Sequence, residues 1–211
     1  DMNVHSLEVA FENIFEKISG NVELLTELDQ KMGDGDLGIS VKTGFQGALR
    51  SVRETEEKDV GKVLGLAADV FNRDAPSSLG TILSFFMKGM AAALNGKETF
   101  DLVELADAMR AGTDSIMNKA GSKPGEKTIL DAMVPAVKVL EDHSKDAPKV
   151  AFEAAMRAAA AGFEETRAMK AVWGRAAYYG EKSVGLLDGG AAVGKLIFEA
   201  INESCGLTAC N

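Results

Sequence analysis

The chain has 211 residues, of which 46% are hydrophobic and 26% charged, a composition typical of a globular domain. The net charge is −9 and no basic cluster is present, so nucleic acid is not an expected partner. No apolar run reaches the roughly 18 residues of a membrane span, and the first residues do not resemble a secretory signal, so we expect a cytoplasmic protein without membrane contact.

Helical periodicity recurs along most of the chain. Apolar residues at three- and four-residue steps predict a helix over 7–18, ended by Gly20, and a short helix over 22–30. The same pattern predicts helices over 39–53, 60–71, 78–94, from 101 onward, and over 126–140, 148–169 and 189–203. No segment alternates like a strand, and no linker or repeat divides the chain. We therefore expect a single all-α domain over residues 1–211, an antiparallel barrel or bundle of about eight helices.

An acidic, glycine-rich loop, MGDGDLG, follows the second predicted helix. Asp34 and Asp36 lie two residues apart, so in extended backbone their side chains point the same way, and Asp29 ends the preceding helix nearby. Converging carboxylates repel one another, and a divalent cation removes that repulsion. Mg²⁺ prefers oxygen ligands and is often shared between carboxylates and substrate phosphates. The alternative is a solvated turn, because Asp and Gly are common turn residues.

Two further segments precede predicted helices. Ser77 and Ser78 could donate to phosphates at the start of a strongly apolar helix, or they could only cap it. The segment GSKPGEKT, residues 121–128, ends like a P-loop but lacks the glycine spacing and the preceding strand. We interpret it as a helix start at Pro124, with Asp131 further in.

Near the C-terminus, WGRAAYYGEKS is followed by GLLDGG. Arg175 could offer bidentate donors to phosphate oxygens, although it could equally form a salt bridge. Asp188 precedes the last predicted helix and could be its cap.

Histidine and cysteine indicate no site of their own. His5 and His143 lie in polar helical contexts and are expected at the surface. Cys205 and Cys210 lack metal-binding spacing, so we expect ordinary thiols. No Ser-His-Asp or Cys-His arrangement is visible.

Four segments, in this order, resemble the L subunit of bacterial dihydroxyacetone kinases, also called the Dak2 domain: LDQKMGDGDLG, the Ser77-Ser78 turn, Gly121 with KPGEKTILDAMVPAV, and GRAAYYGEKSVG followed by LDGG. The resemblance implies an eight-helix antiparallel barrel with ADP or ATP at one end. It implies that Asp29, Asp34 and Asp36 hold two Mg²⁺ ions and act in catalysis with Arg175. It also implies nucleotide contacts from Gly38, Ile39, Ser40, Ser77, Ser78, Gly121, Ile129, Arg175, Asp188 and Gly189.

The resemblance also implies partners. The γ-phosphoryl group would pass to a ketose that a K subunit holds covalently through its histidine. Two versions of the family exist: bound ADP is recharged by a phosphohistidine protein of the phosphotransferase system, the M subunit, or free ATP exchanges. The lack of a fused K domain favours the first version.

Two departures from the family pattern keep other functions open. Leu37 stands where the usual G-D-[GA]-D-H-G motif has histidine, and APSSLGTIL replaces the usual G-G-x-S-G-x-L-x-G. The substrate could therefore be a related ketose such as a tetrulose. The alternatives are a non-catalytic module that senses nucleotide or metal, and a phosphatase that uses the same metals.

Overall fold

Nine α-helices and two short 3-10 helices form the regular structure of residues 1–204, the part of the chain that the computed structural model describes. The α-helices are α1 Val4–Ser19, α2 Val22–Gln30, α3 Leu37–Glu54, α4 Val60–Asp74, α5 Ser78–Ala93, α6 Leu102–Ala120, α7 Leu130–Asp142, α8 Pro148–Glu165 and α9 Gly189–Ser204. The 3-10 helices are Thr166–Ala168 and Arg175–Ser183. Cys205 and Cys210 lie outside the described residues.

Eight of the nine helices form a closed ring. Going around it, α1 packs on α3, and each helix from α3 onward packs on the next until α9 returns to α1. The short α2 packs against α3 and α9 at one end of the ring. This confirms the expected all-α, eight-helix antiparallel barrel, with α2 as an addition. No helix within residues 1–204 is both long and apolar enough to cross a bilayer.

The ring is held by an apolar core to which each of its helices contributes. Phe45 lies at its aromatic centre: its ring centroid is 4.8 Å from that of Phe71, edge to face, and 6.4 Å from that of Phe11. Reciprocal capping boxes start α1 at Asn3 and Ser6, and α6 at Asp101 and Glu104. Burial of the apolar faces and these caps together account for the helix pattern seen in the sequence.

Gly162 permits the close packing of α8 on α7. A β carbon there would clash with the backbone oxygen of Asp131. We expect Gly162→Ala to lower the free energy of unfolding by about 1–3 kcal/mol, because the helices would have to separate. Gly65→Ala in α4 is the control: its β carbon would meet nothing nearer than 4.0 Å, so it should stabilise by roughly 0.5–1 kcal/mol. Urea unfolding measures both, and equal stability of the two variants would contradict the packing.

Several predicted helix boundaries were wrong: the first helix begins at Val4 and not at 7, the fourth ends at Asp74 and not at 71, and three others differ as follows. The third helix begins at Leu37, two residues before the prediction. The seventh begins at Leu130 and not at 126, because Lys127 takes a left-handed conformation, with φ of 64°, that a helix cannot include. Pro124 therefore lies in a turn and not at a helix start. The eighth ends at Glu165, after which the chain tightens into a 3-10 turn.

Candidate functional site

The starts of four helices lie at one end of the barrel. Because neighbouring helices in the ring run antiparallel, α3, α5, α7 and α9 all begin at this end. Backbone N–H groups at a helix start carry partial positive charge, so four such starts favour a bound anion. Each of the polar segments singled out in the sequence leads into one of these helices or lies between them.

The acidic loop between α2 and α3 brings its three carboxylates together. Asp29, Asp34 and Asp36 each offer an oxygen, and these oxygens lie within 4.8 Å of one another. Asp29 is half-buried and its carboxylate accepts a hydrogen bond from the Leu37 backbone N–H at 3.2 Å. Gly33 packs closely beside it, and a β carbon there would displace the Asp29 carboxylate from its position. The loop thus holds the clustered arrangement expected from the sequence.

The pKa values of two of these carboxyl groups shift in opposite directions. A hydrogen bond from the Asp36 carboxyl lowers the pKa of Asp34, which also faces Arg175. The same hydrogen bond raises the pKa of Asp36, together with burial and the negative charges of Asp34 and Asp29. A cation bound between the three carboxylates would relieve the repulsion that contributes to the raised pKa of Asp36.

The first turn of α3 and the start of α5 are joined by a hydrogen bond between two hydroxyls. Ser40 donates to Ser77 at 3.2 Å, and Ser77 also caps α5 by accepting from the Gly80 N–H. Ser77 is therefore the N-cap of α5, as one interpretation of the sequence predicted. Its position beside Ser40 is also compatible with the other interpretation, a hydroxyl that donates to phosphates. Ser78 is exposed in the first turn of α5.

Gly38 and Ile39 occupy the same helix start as Ser40 but differ in exposure. Gly38 is buried, and a β carbon there would lie 2.6 Å from the Val22 carbonyl oxygen, so glycine lets α3 pack on α2. The Ile39 side chain is 64% exposed and points to solvent. Both the backbone and the side chain of Ile39 are therefore accessible at this helix start.

The start of α9 lies between the acidic loop and α7. A β carbon at Gly189 would lie 2.7 Å from the Leu37 side chain, so glycine permits this close approach. Asp188 caps α9 by accepting a hydrogen bond from the Ala191 N–H at 2.8 Å, which confirms the helix cap expected from the sequence. Burial raises the pKa of Asp188 to about 6. On the other side of Gly190 lies the buried Ile129, at the start of α7.

Residues 169–186, which we call the arginine segment, cross this end of the barrel between α8 and α9. Arg175 is 69% exposed, and its guanidinium lies 3.7 Å from the Asp34 carboxylate. Trp173 donates its indole N–H to Glu126 at 3.0 Å and lies near Gly121, whose φ is 76°. The structure therefore brings Arg175 and Gly121 to the same end of the barrel as the acidic loop.

Sequence reasoning missed Lys127. Its side chain is buried, and its ammonium group donates to the backbone oxygens of Thr166, Met169 and Leu186. Burial lowers the pKa of Lys127. The only sequence signal was the Gly-Glu-Lys-Thr motif, which we set aside once its P-loop interpretation failed. His5 and His143 lie at the surface, as expected, and His143 pairs with Asp146.

The three-aspartate cluster fits Mg²⁺ by its chemistry. It offers only carboxylate oxygens, the ligands that Mg²⁺ prefers, and two of the three groups are exposed enough to leave room for substrate oxygens. Within residues 1–204 it is the one group of three or more potential ligands close enough to share an ion. Asp29, Asp34 and Asp36 are thus the residues that could hold a metal here.

A family model for the DAK2 domain matches residues 31–203. The chain belongs to the DAK2 domain family. This confirms the family resemblance drawn from the four sequence segments. Over 189 residues the chain is 33% identical to "PEP-dependent dihydroxyacetone kinase 1, ADP-binding subunit DhaL" of Listeria innocua, covering 90% of each protein. It is also 30% identical over 198 residues to "L-erythrulose 1-kinase" of Mycolicibacterium smegmatis, covering 92% of this chain and 35% of that kinase.

Among solved structures, the DAK2 fold recurs in a dihydroxyacetone kinase from C. freundii, determined in complex with AMP-PNP and Mg²⁺. The TM-score is 0.76 at 22% identity, covering 97% of this chain and 34% of that kinase. The chain thus corresponds to about a third of the length of that kinase and of the erythrulose kinase. The likeness confirms the fold.

Proposed function

We propose that this DAK2 chain is the nucleotide-binding phosphotransferase subunit of a small-ketose kinase, and that it binds ADP or ATP through Mg²⁺ at Asp29, Asp34 and Asp36. The observation that carries this proposal is the convergence of three carboxylates, within 4.8 Å of one another, beside helix starts that favour a polyphosphate. A negatively charged polyphosphate can bind next to three carboxylates only if a cation lies between them. The names of the relatives point to the same chemistry.

The protein groups have distinct roles in this proposal. Bound Mg²⁺, two ions as in the family pattern, would neutralise phosphate charge. Asp29, fixed by the Leu37 N–H, would set the position of the metal-binding loop. The α3 start at Gly38, Ile39 and Ser40 would donate backbone and hydroxyl groups to phosphate oxygens. Positioning and charge neutralisation supply most of the rate enhancement in phosphoryl transfer.

The other predicted contacts surround the same position. Ser77 and Ser78 at the start of α5 would donate to phosphates. Gly121 and Ile129 would line the adenine side of the nucleotide. Asp188 and Gly189 would close the site at the start of α9, and Arg175, directly opposite Asp34, would stabilise charge on the transferred group.

Nucleotide binding should depend on Mg²⁺. We expect titration calorimetry with ADP and with ATP to show at least ~100-fold weaker binding in EDTA than in Mg²⁺, because the bare phosphates would meet three carboxylates. A monovalent salt at the same ionic strength as the Mg²⁺ solution should not restore the nucleotide affinity. Equal affinities in EDTA and Mg²⁺ would rule out the metal-bridged site.

In this proposal the acceptor belongs to a partner protein, and in one of the two versions the donor does as well. The acceptor would be a ketose held on a K subunit, and the donor either ATP or the phosphohistidine of an M subunit. Mixing the chain with a K subunit and ketose, and adding ATP or the phosphohistidine donor separately, distinguishes the donors by which mixture forms ketose phosphate. ADP retained in native mass spectra of the purified protein would support the phosphohistidine version.

A second candidate is a kinase for a tetrulose, which the erythrulose kinase relative favours. Leu37, which replaces the histidine of the usual family motif, lies at the α3 start and close to the α9 start. A difference in the ketose that is accepted could arise from this replacement. Assays with dihydroxyacetone and with erythrulose on matched K subunits distinguish the two. Failure to phosphorylate any ketose with any cognate partner would favour the non-catalytic sensing module, and release of inorganic phosphate without acceptor would favour a phosphatase.

A further inference from the structure

Lys127 makes an unusual set of contacts for a buried lysine. Its ammonium group has three N–H donors. The structure directs them at the backbone oxygens of Thr166 (2.6 Å), Met169 (3.3 Å) and Leu186. These oxygens lie at the two ends of the arginine segment: Thr166, in the 3-10 turn just before it, and Met169 at its entrance, and Leu186 at its exit. One side chain therefore joins both ends of an exposed stretch of 169–186.

The turn that carries Lys127 is built to aim this side chain inward. Within residues 1–204, Lys127 is the single non-glycine residue with a positive φ, 64°. Asp131, buried in the first turn of α7, holds the turn from both sides by accepting from the Gly125 N–H at 2.6 Å and the Thr128 N–H at 2.9 Å. Such a conformation in a residue with a side chain persists only where surrounding contacts enforce it.

Other contacts at the two ends of the segment agree with this arrangement. The Gly185 N–H donates to the Arg167 oxygen at 2.7 Å, and the Asp188 N–H donates to the Thr166 hydroxyl at 3.1 Å. Between these ends the segment is mostly exposed, and its central residue Arg175 reaches Asp34. The place of Arg175 over the acidic loop thus depends on how the ends are held.

We propose that Lys127 is a positioning residue that clasps both ends of the arginine segment and thereby places Arg175 over the acidic loop. Lys127 acts through Arg175 and does not itself touch the nucleotide. Its consequence for phosphoryl transfer rests on the proposed function, whereas its effect on the segment does not.

Trp173 reports on the contacts between Lys127 and the two ends of the arginine segment, which we call the clasp, without any assay of activity. It is the only tryptophan of the chain, lies within the segment and bonds to Glu126, the neighbour of Lys127. In Lys127→Met, which removes the donors and keeps an unbranched side chain, we expect a red-shifted Trp173 emission and acrylamide quenching raised by up to about twofold, because Trp173 is already 44% exposed. Trypsin should cut at Lys170, Arg175 or Lys182 at least ~10-fold faster. Circular dichroism should stay helical, and Lys149→Met on the exposed surface of α8 is the matched control.

A double-variant cycle tests whether Lys127 acts through Arg175. We expect Lys127→Met to slow phosphoryl transfer about 30- to 100-fold, mainly through kcat, with Mg²⁺-nucleotide affinity changed less than threefold. In an Arg175→Ala background, the same change should cost less than about threefold more. Full additivity of the two losses would overturn the proposal, because the residues would then act independently.

Three further results would contradict either the role of Lys127 or the proposed function. Unchanged Trp173 emission and proteolysis in folded Lys127→Met would overturn the clasp. If that variant does not fold, Lys127→Gln, which retains an N–H donor, takes its place in the same measurements; unfolding of both would also overturn it, since Lys127 would then support the whole barrel. A wild-type chain without transferase activity would refute the proposed function, while the fluorescence and proteolysis results would still stand for the clasp.

Discussion

Replacing Asp34 and Asp36 together by asparagine should reduce phosphoryl transfer by about 1,000-fold or more while the chain stays folded. Asparagine keeps the size of each side chain but removes the negative charge that attracts Mg²⁺, and the metal supplies several kcal/mol of charge stabilisation in such reactions. Both carboxylates are exposed, so their loss should not unfold the barrel. Transfer with the cognate K subunit, calorimetry with Mg²⁺-nucleotide, and circular dichroism measure the three parts of this result.

The matched control changes charge equally at a distance from the site. Asp107 and Asp114 are exposed on α6, and Asp107→Asn with Asp114→Asn alters the net charge by the same two units. This variant should keep wild-type transfer. If the control loses as much activity as the loop variant, the effect comes from net charge. If the loop variant keeps full activity, the aspartates do not hold the essential metal.

Arg175→Ala should slow transfer by about 100- to 1,000-fold, with a smaller effect on nucleotide affinity. A guanidinium that meets charge developing on the transferred group stabilises the transition state more than the ground state, so kcat should fall more than KM rises. The side chain is exposed and, among residues 1–204, its one ion pair is with Asp34, so stability should change little. Steady-state kinetics at saturating Mg²⁺ separate the two parameters.

Arg157→Ala removes an equally exposed arginine, which pairs with Glu153 on the outer face of α8. It should leave both kinetic parameters unchanged. Lys in place of Arg175 should recover only part of the activity, because an ammonium group lacks the planar pair of donors. A wild-type kcat in Arg175→Ala would show that Arg175 does not act in catalysis.

The helical pattern of the sequence was sufficient to predict an all-α barrel or bundle, and the family resemblance implied the barrel. The apolar residues between Leu7 and Ile18 form the buried face of α1, and the helix predicted from 101 onward begins with a capping box of Asp101 and Glu104. The acidic loop could also be predicted, because three glycines in seven residues disfavour a helix interior. The expected clustering of Asp34 and Asp36 assumed extended backbone, whereas the structure brings them together in a loop in which Gly35 has a φ of 80°. These features depend on local spacing, which the sequence displays directly.

Features that depend on contacts between distant segments could not be predicted. The burial of Lys127 requires carbonyl oxygens from residues about 40 and 60 positions further along, so its neighbours in sequence gave no sign of it. The late start of α7 follows from the same turn. The exposed side chain of Ile39 and the hydrogen bond from Ser40 to Ser77 likewise depend on how α3 packs against its neighbours.

The most direct test of the metal-bridged site is a crystal structure with nucleotide and Mn²⁺ in place of Mg²⁺, using anomalous scattering to locate the ions. We expect anomalous peaks at about 2.0–2.3 Å from carboxylate oxygens of Asp29, Asp34 and Asp36, with nucleotide phosphates on the opposite side of the ions. Nucleotide bound elsewhere, with these three carboxylates facing solvent and no anomalous peak beside them, would contradict the account.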